Sequence, residues 1–254
     1  MKKILLGIIS FLLFTNYIYA NEDYIINKQN IKITKQEYNN LKSIGFTDYE
    51  IKLLDKKTFD ANKNINGKIL SQEKSNFFIK TKSITPGFVE TEYKKITTTI
   101  IKIQDMYRYK ITVEWKKMPY IRSYDIIAIG KASNLITNGT IFFVQNYCYK
   151  SGNCSSNYEY IPKYSNSGNG ASFQLVKEKN LTDIIITFFY DIKKSSSDTI
   201  TKLDAYGDYK HATKTISQEK SKKYSIYNGI ILDKTISTYY DSISPAHAYW
   251  TGTW

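Results

Sequence analysis

Residues 107–116 read Tyr-Arg-Tyr-Lys-Ile-Thr-Val-Glu-Trp-Lys, so Tyr109, Ile111, Val113 and Trp115 alternate with Lys110, Thr112, Glu114 and Lys116. Side chains of a strand point alternately to opposite faces, and a period of two predicts a strand with one buried face and one wet face. From about residue 74 onward the chain continues in short runs of Ile, Val, Thr, Tyr and Phe, the residue types that fit a pleated surface. Further strands are expected at 96–103, 124–129, 141–149, 157–161, 171–177, 183–191, 199–203, 224–232 and 235–240. Turn chemistry separates them at Gln104-Asp105, Asn138-Gly139, Ser165 to Gly170, Ser195 to Asp198, Tyr206-Gly207-Asp208 and Asn228-Gly229. Met118-Pro119 stops the pairing of the first strand. Short strands at near-regular spacing predict an antiparallel sandwich or barrel.

The stretch before this has another period. Thr34 with Glu37, and Thr47 with Glu50, are capping-box patterns. Tyr38, Leu41 and Ile44 share one helical face, and Ile51 with Leu54 another. Gly45 between Ile44 and Phe46 suits a left-handed helix end, and Asp55 can start a third turn carrying Phe59. Short helices around a Gly-Phe turn resemble ubiquitin-associated-type bundles. The resemblance is geometric, spans 34–62 and carries no function. Asn64, Asn66 and Gly67 mark a linker. The expected fold class is α+β: a small N-terminal helical segment, then a mainly antiparallel β-sandwich or barrel-like domain. The expected division is a leader at 1–20, an arm and helical segment at 21–66, and a β-rich domain at 67–254. Ser71 to Ser75 recurs as Ser217 to Ser221 (Ser-Gln-Glu-Lys-Ser), but the flanks do not match and no repeat is inferred.

The first twenty residues predict export. Lys2 and Lys3 precede an uncharged run from Ile4 to Phe14, and a short stretch ends at Ala20. That is the layout of a cleavable signal peptide, with the cut expected after Ala20. The apolar run is too short for a membrane span, which needs about 20 residues, and Asn16 closes it. Composition resembles that of low-GC Gram-positive bacteria in its Lys, Asn, Ile and Tyr bias.

The formal charge is +13, falling to +11 once Lys2 and Lys3 leave. A basic exported protein is drawn to anionic envelope polymers or a membrane surface. All but two of the 36 basic residues are lysines, the exceptions being Arg108 and Arg122. Reading bases favours the arginine fork, so nucleic acid is not an expected ligand. Cys148 and Cys154 flank Ser151-Gly152-Asn153 and predict a disulfide across a hairpin tip.

Catalytic patterns are scarce. The two histidines are His211 and His247, with Asp204, Asp208 and Asp241 as possible partners. No HExxH or GxSxG pattern occurs, and neither a catalytic, a metal-binding nor a cofactor-binding residue is assigned. A glycosidase needs two suitably spaced carboxylates, for which Asp105, Glu114, Asp125 and Glu159 are undistinguished candidates. Gly168-Asn169-Gly170 reads as a loop tip. Asn138, Asn153 and Asn180 head glycosylation sequons, which matter only in a eukaryotic route. The tail from Pro245 holds Tyr249, Trp250 and Trp254, candidate binding aromatics or core-tucked rings. These features point to a secreted binding protein of the envelope or extracellular space. A membrane-active toxin or bacteriocin-like factor and a wall-polymer hydrolase are the alternatives.

Overall fold

A computed structural model of the chain describes residues 24–76, 92–132, 134–195 and 199–253. The expected leader, its cut after Ala20 and Trp254 lie outside the described residues. Among those residues, no helix is long and apolar enough to cross a membrane.

Strands β1 (Tyr24–Ile26) and β2 (Lys32–Thr34) form a small antiparallel ribbon. Helices α1 (Lys35–Ser43), α2 (Asp48–Leu53) and α3 (Lys56–Asn62) follow. Their starts are chemically fixed: Thr34 and Thr47 each exchange bonds reciprocally with the glutamate three residues on, and Asp55 caps α3. Each cap satisfies backbone N–H groups that have no partner inside the helix. Helix α1 ends with Gly45 at φ +80°. The Phe46 N–H donates to the Leu41 carbonyl and the Gly45 N–H to that of Lys42, closing a Schellman turn.

Then come β3 (Lys68–Asn76), β4 (Lys94–Ile103), β5 (Met106–Trp115), β6 (Tyr124–Gly130) and β7 (Leu135–Tyr149). They are followed by β8 (Cys154–Asn157), β9 (Ile161–Ser165), β10 (Gly168–Gln174), β11 (Leu181–Lys194) and β12 (Lys202–Lys210). The chain closes with α4 (Gln218–Ser221), the hairpin β13 (Tyr224–Tyr227) and β14 (Gly229–Leu232), α5 (Lys234–Ser237) and β15 (Ala246–Thr251).

Six strands pair in the order β3-β4-β5-β11-β7-β8 and five in the order β15-β12-β6-β10-β9. All these pairings are antiparallel. One core lies between the two sheets, making a sandwich. Tyr109, Ile111, Val113, Phe143, Ile186 and Phe188 from the first sheet meet Ile127, Ile129, Phe173, Leu203 and Tyr209 from the second.

Each sheet also carries a cover on its outer face. Ile33, Leu41, Ile44, Phe46, Ile51 and Phe59 pack with Ile101 and Ile103 of β4. On the other side Ala212, Ile216, Tyr224, Ile226, Ile230 and Tyr240 pack with Ile126 and Ala128 of β6. These covers correct the expected wet face of β5. Arg108, Lys110 and Thr112 are buried beneath the helices, and only Lys116, just past the strand, is exposed. Covering a polar face demands internal partners. Lys110 donates to Glu50, Thr112 and the Gly45 carbonyl, while Thr112 and Thr187 also donate to Glu50.

Other boundaries move for identifiable reasons. Asn138-Gly139 is a bulge inside the long β7, where the register with β11 shifts between Phe189 and Asp191. Gly207 lies mid-strand in β12, and its missing side chain makes room for Thr98 of the opposing sheet. Gly168, Asn169 and Gly170 are buried in β10 rather than on a loop tip. Of the segment 157–161, Asn157 ends β8 and Ile161 starts β9, with 158–160 as the link between them. Residues 234–237 are a helical turn, capped by Asp233, where a strand was expected. Ser71 to Ser75 is strand, whereas Ser217 to Ser221 is a capped helical turn.

Candidate functional site

Asp125 is the single charge in the otherwise apolar run of β6, and burial there obliges it to find donors. It is fully buried and accepts from Tyr209 Oη, from the Ala212 N–H and from His211 Nδ1, the last at 3.0 Å. The His211 N–H donates to Asp241 Oδ1 at 3.0 Å, and the Asp241 N–H returns a bond to the His211 carbonyl. Asp241 Oδ2 also accepts from Lys94 Nζ. Lys94 opens β4 opposite Trp115 of β5, and its ammonium lies 5.2 Å from the Trp115 ring centre and 4.6 Å from that of Tyr209. Burial pulls the Lys94 ammonium below the usual lysine range, against the opposing pull of Asp241. Burial, reinforced by Asp125, pushes the Tyr209 phenol up, so it remains a donor.

Of these groups Lys94, His211 and Asp241 line a cleft of about 640 Å³ at one end of the sandwich, with Asp125 and Tyr209 buried behind them. Trp115 and Tyr240 wall it, with the His211 ring edge-on to Trp115 at 4.8 Å. Tyr93 and Tyr120 stand on its rim, 54 % and 98 % exposed. Tyrosines left in water beside a concave wall offer flat ring faces at low entropic cost.

The rim continues into a second depression. Arg122 donates to the Pro119 carbonyl and, on its other side, to the Glu178 carbonyl. Glu178 belongs to an open dish lined by Tyr149, Lys150, Ser151, Lys177, Lys179 and Asn180. Lys150, Lys177 and Lys179 are exposed. One end of the molecule thus joins an aromatic cleft to a lysine-rich dish through Arg122.

The sequence candidates scatter by comparison. Of the partners expected for His211, Asp241 meets its backbone N–H and Asp208 pairs with Lys210, while the ring is taken by Asp125, which was not among them. Asp204 instead accepts from His247 Nε2 at 2.8 Å, and the His247 ring stacks on Tyr206 at 4.1 Å. Asp105 sits in the β4–β5 turn and Glu159 is exposed, while Glu114 pairs with Lys95 on the outer face of the six-stranded sheet. In the tail Trp250 turns inward against Tyr107, 5.8 Å between ring centres, and Tyr249 turns outward. Cys148 and Cys154 are disulfide-bonded where β7 meets β8. Among the described residues no group of three or more His, Cys, Asp or Glu could hold a metal ion. The cleft itself was missed because its residues lie far apart in the chain. The one local signal was an acid heading the Ile-rich run of β6.

No family model and no curated protein sequence matches this chain. Among solved structures it is similar to the pilus backbone protein of Streptococcus pneumoniae, with 12 % identity and a TM-score of 0.32. That match covers 57 % of this chain and 32 % of the pilus protein. It is also similar to a structure of the Fap1 fimbriae of Streptococcus parasanguinis, with 16 % identity and a TM-score of 0.28, over 74 % of this chain and 96 % of that one. TM-scores this low assign no function.

Proposed function

We propose that this is a secreted binding protein of the cell envelope, and that it holds an anionic, sugar-containing polymer at the end of the sandwich. The observation that carries the reading is the junction at Arg122 between the aromatic cleft and the lysine dish. Ring faces of Tyr93 and Tyr120 suit the apolar faces of sugar rings, and Lys150, Lys177 and Lys179 suit repeated negative charge along the same strand of polymer. The lysine-led leader, the disulfide and the net charge of +11 after leader removal support an extracellular setting.

Sedimentation with purified Gram-positive cell wall, across a salt titration, tests this reading. Retention should fall as salt rises, because exposed charges are screened within about 8 Å at physiological ionic strength. Tyr120→Ala and the pair Lys177→Glu/Lys179→Glu should each weaken retention several-fold. No retention, or retention indifferent to salt and to both variants, overturns the reading. Dye release from anionic liposomes would favour a membrane-active factor, and a peptidoglycan clearing zone would favour a hydrolase.

A further inference from the structure

Lys94 and Asp241 are 147 residues apart in sequence yet in direct contact, amine against carboxyl, with Lys94 at 3 % exposure. Lys94 begins β4 in the six-stranded sheet, and Asp241 precedes β15, the last strand of the five-stranded sheet. Aromatic faces of Trp115 and Tyr209 flank the amine. A second carboxylate, Asp125, sits in the same cluster, close enough to act on the charge of Lys94, and is held by Tyr209, His211 and Ala212.

The other buried lysine–carboxylate pair is built differently. Lys110 and Glu50 are ringed by Thr112, Thr187, the Thr47 N–H and the Gly45 carbonyl, polar groups that stabilise the ionised state. Burial pulls both ammonium groups below the usual lysine range, and the Lys94 site differs in being walled by two aromatic rings, with the second carboxylate of Asp125 in the same cluster.

We propose that Lys94 and Asp241 condense into an intramolecular amide that ties the two sheets together. A proton first passes from the ammonium to the carboxylate across their contact, leaving a neutral amine and a carboxylic acid. The Lys94 nitrogen attacks Asp241 Cγ and the C–N bond forms. The C–OH bond breaks, and the leaving hydroxyl takes an amine proton and departs as water. Amine plus acid gives amide plus water, with no oxidant, reductant or cofactor. The link removes a buried ion pair and fixes the floor of the cleft, and it is independent of which polymer the cleft takes.

Intact-mass spectrometry of the reduced, alkylated full chain tests this. Wild type should be lighter than its sequence mass by one water, and tryptic digestion should yield a branched peptide joining the Lys94 and Asp241 stretches. Lys94→Ala and Asp241→Ala should each have their full sequence mass. A full-mass wild type with linear peptides at both positions overturns the proposal, as does a one-water deficit persisting in either variant. Mass is read whether or not the variants fold well, so their loss of stability does not confound the result.

Discussion

The ammonium of Lys110 and the carboxylate of Glu50 meet at 2.6 and 2.8 Å, each side chain 1 % exposed, where α2 crosses the six-stranded sheet. Removing one member of such a pair leaves a buried charge without its partner, which costs about 3–5 kcal/mol. Glu50→Ala and Lys110→Met should each lower the unfolding free energy by that amount in urea titrations. The double change Glu50→Leu/Lys110→Met should cost much less than the two singles added together. Additive losses would mean that the pair is not coupled.

Acid should loosen the helical layer. Burial alone would push the Asp183 carboxyl up. Bonds from Tyr49, Thr182 and Lys28, with the Lys28 charge, outweigh it and hold the group below its usual 3.8. A carboxylate depressed in the folded state contributes stability above its unfolded pKa, and loses it as pH falls through the folded value. Urea midpoints measured from about pH 5 down to about pH 2 should therefore fall more steeply for wild type than for Asp183→Asn. Equal slopes would remove Asp183 from the account.

The disulfide closes a loop with a sequence separation of 6 residues, and Cys148 packs beside Leu53 of α2 and Ile185 of β11. So short a loop contributes about 2 kcal/mol. In a chain of this size that is about 4–8 °C in Tm. Calorimetry with and without reductant should show this shift with a retained cooperative transition, since β7 stays paired to β11 along most of its length. Loss of the transition would make the bond essential to the fold.

The two tail aromatics should separate in their effects. Trp250→Ala removes a ring packed on Tyr107 and the core edge, and should cost about 2–3 kcal/mol, somewhat under the range for fully buried aromatics. Tyr249→Ala removes an outward ring and should stay within about 0.5 kcal/mol. The same denaturation series measures both, and equal effects would place the strand in the other register.

Two glycines should respond unequally to alanine. At Gly130 an added Cβ would lie 2.0 Å from the Tyr227 carbonyl oxygen, so the covering hairpin must move. Overpacking of this kind costs about 1–3 kcal/mol or more. At Gly139 the added atom meets nothing within 4 Å, but φ is +81°. Only the left-handed penalty of about 1–2 kcal/mol applies there. A larger loss at Gly139 than at Gly130 would contradict the packing of β13–β14 on β6.

The antiparallel sandwich was legible because β-branched and aromatic residues recur at period two, and Tyr109 to Trp115 face the core as their spacing requires. The opposite face of the same strand was not legible. Lys110 looks like a solvated lysine until Glu50, 60 residues earlier, is brought over it. Local composition misleads where tertiary context decides: one pentapeptide is strand at 71–75 and helix at 217–221, where Ser217 can cap. Asn138-Gly139 and Tyr206-Gly207-Asp208 have turn chemistry, yet a bulge and an inter-sheet contact claim them. The cleft was invisible for another reason. Lys94 and Trp115 on neighbouring strands β4 and β5 meet His211, just past β12, and Asp241, ahead of β15, and nothing in their neighbours marks them. The Cys148–Cys154 pairing could be read because turn residues and two cysteines lie within a few positions.

Each broad face of this sandwich is roofed over part of its width, β4 by α1 to α3 and β6 by β13 and β14 with their flanking turns. A neighbour cannot lie flat against β4 or β6 without first displacing a layer of side chains that are themselves core. A fluorescent label or fusion partner placed at the pole opposite Tyr120 would leave the aromatic cleft open, whereas one at residues 118–122 would cover its rim.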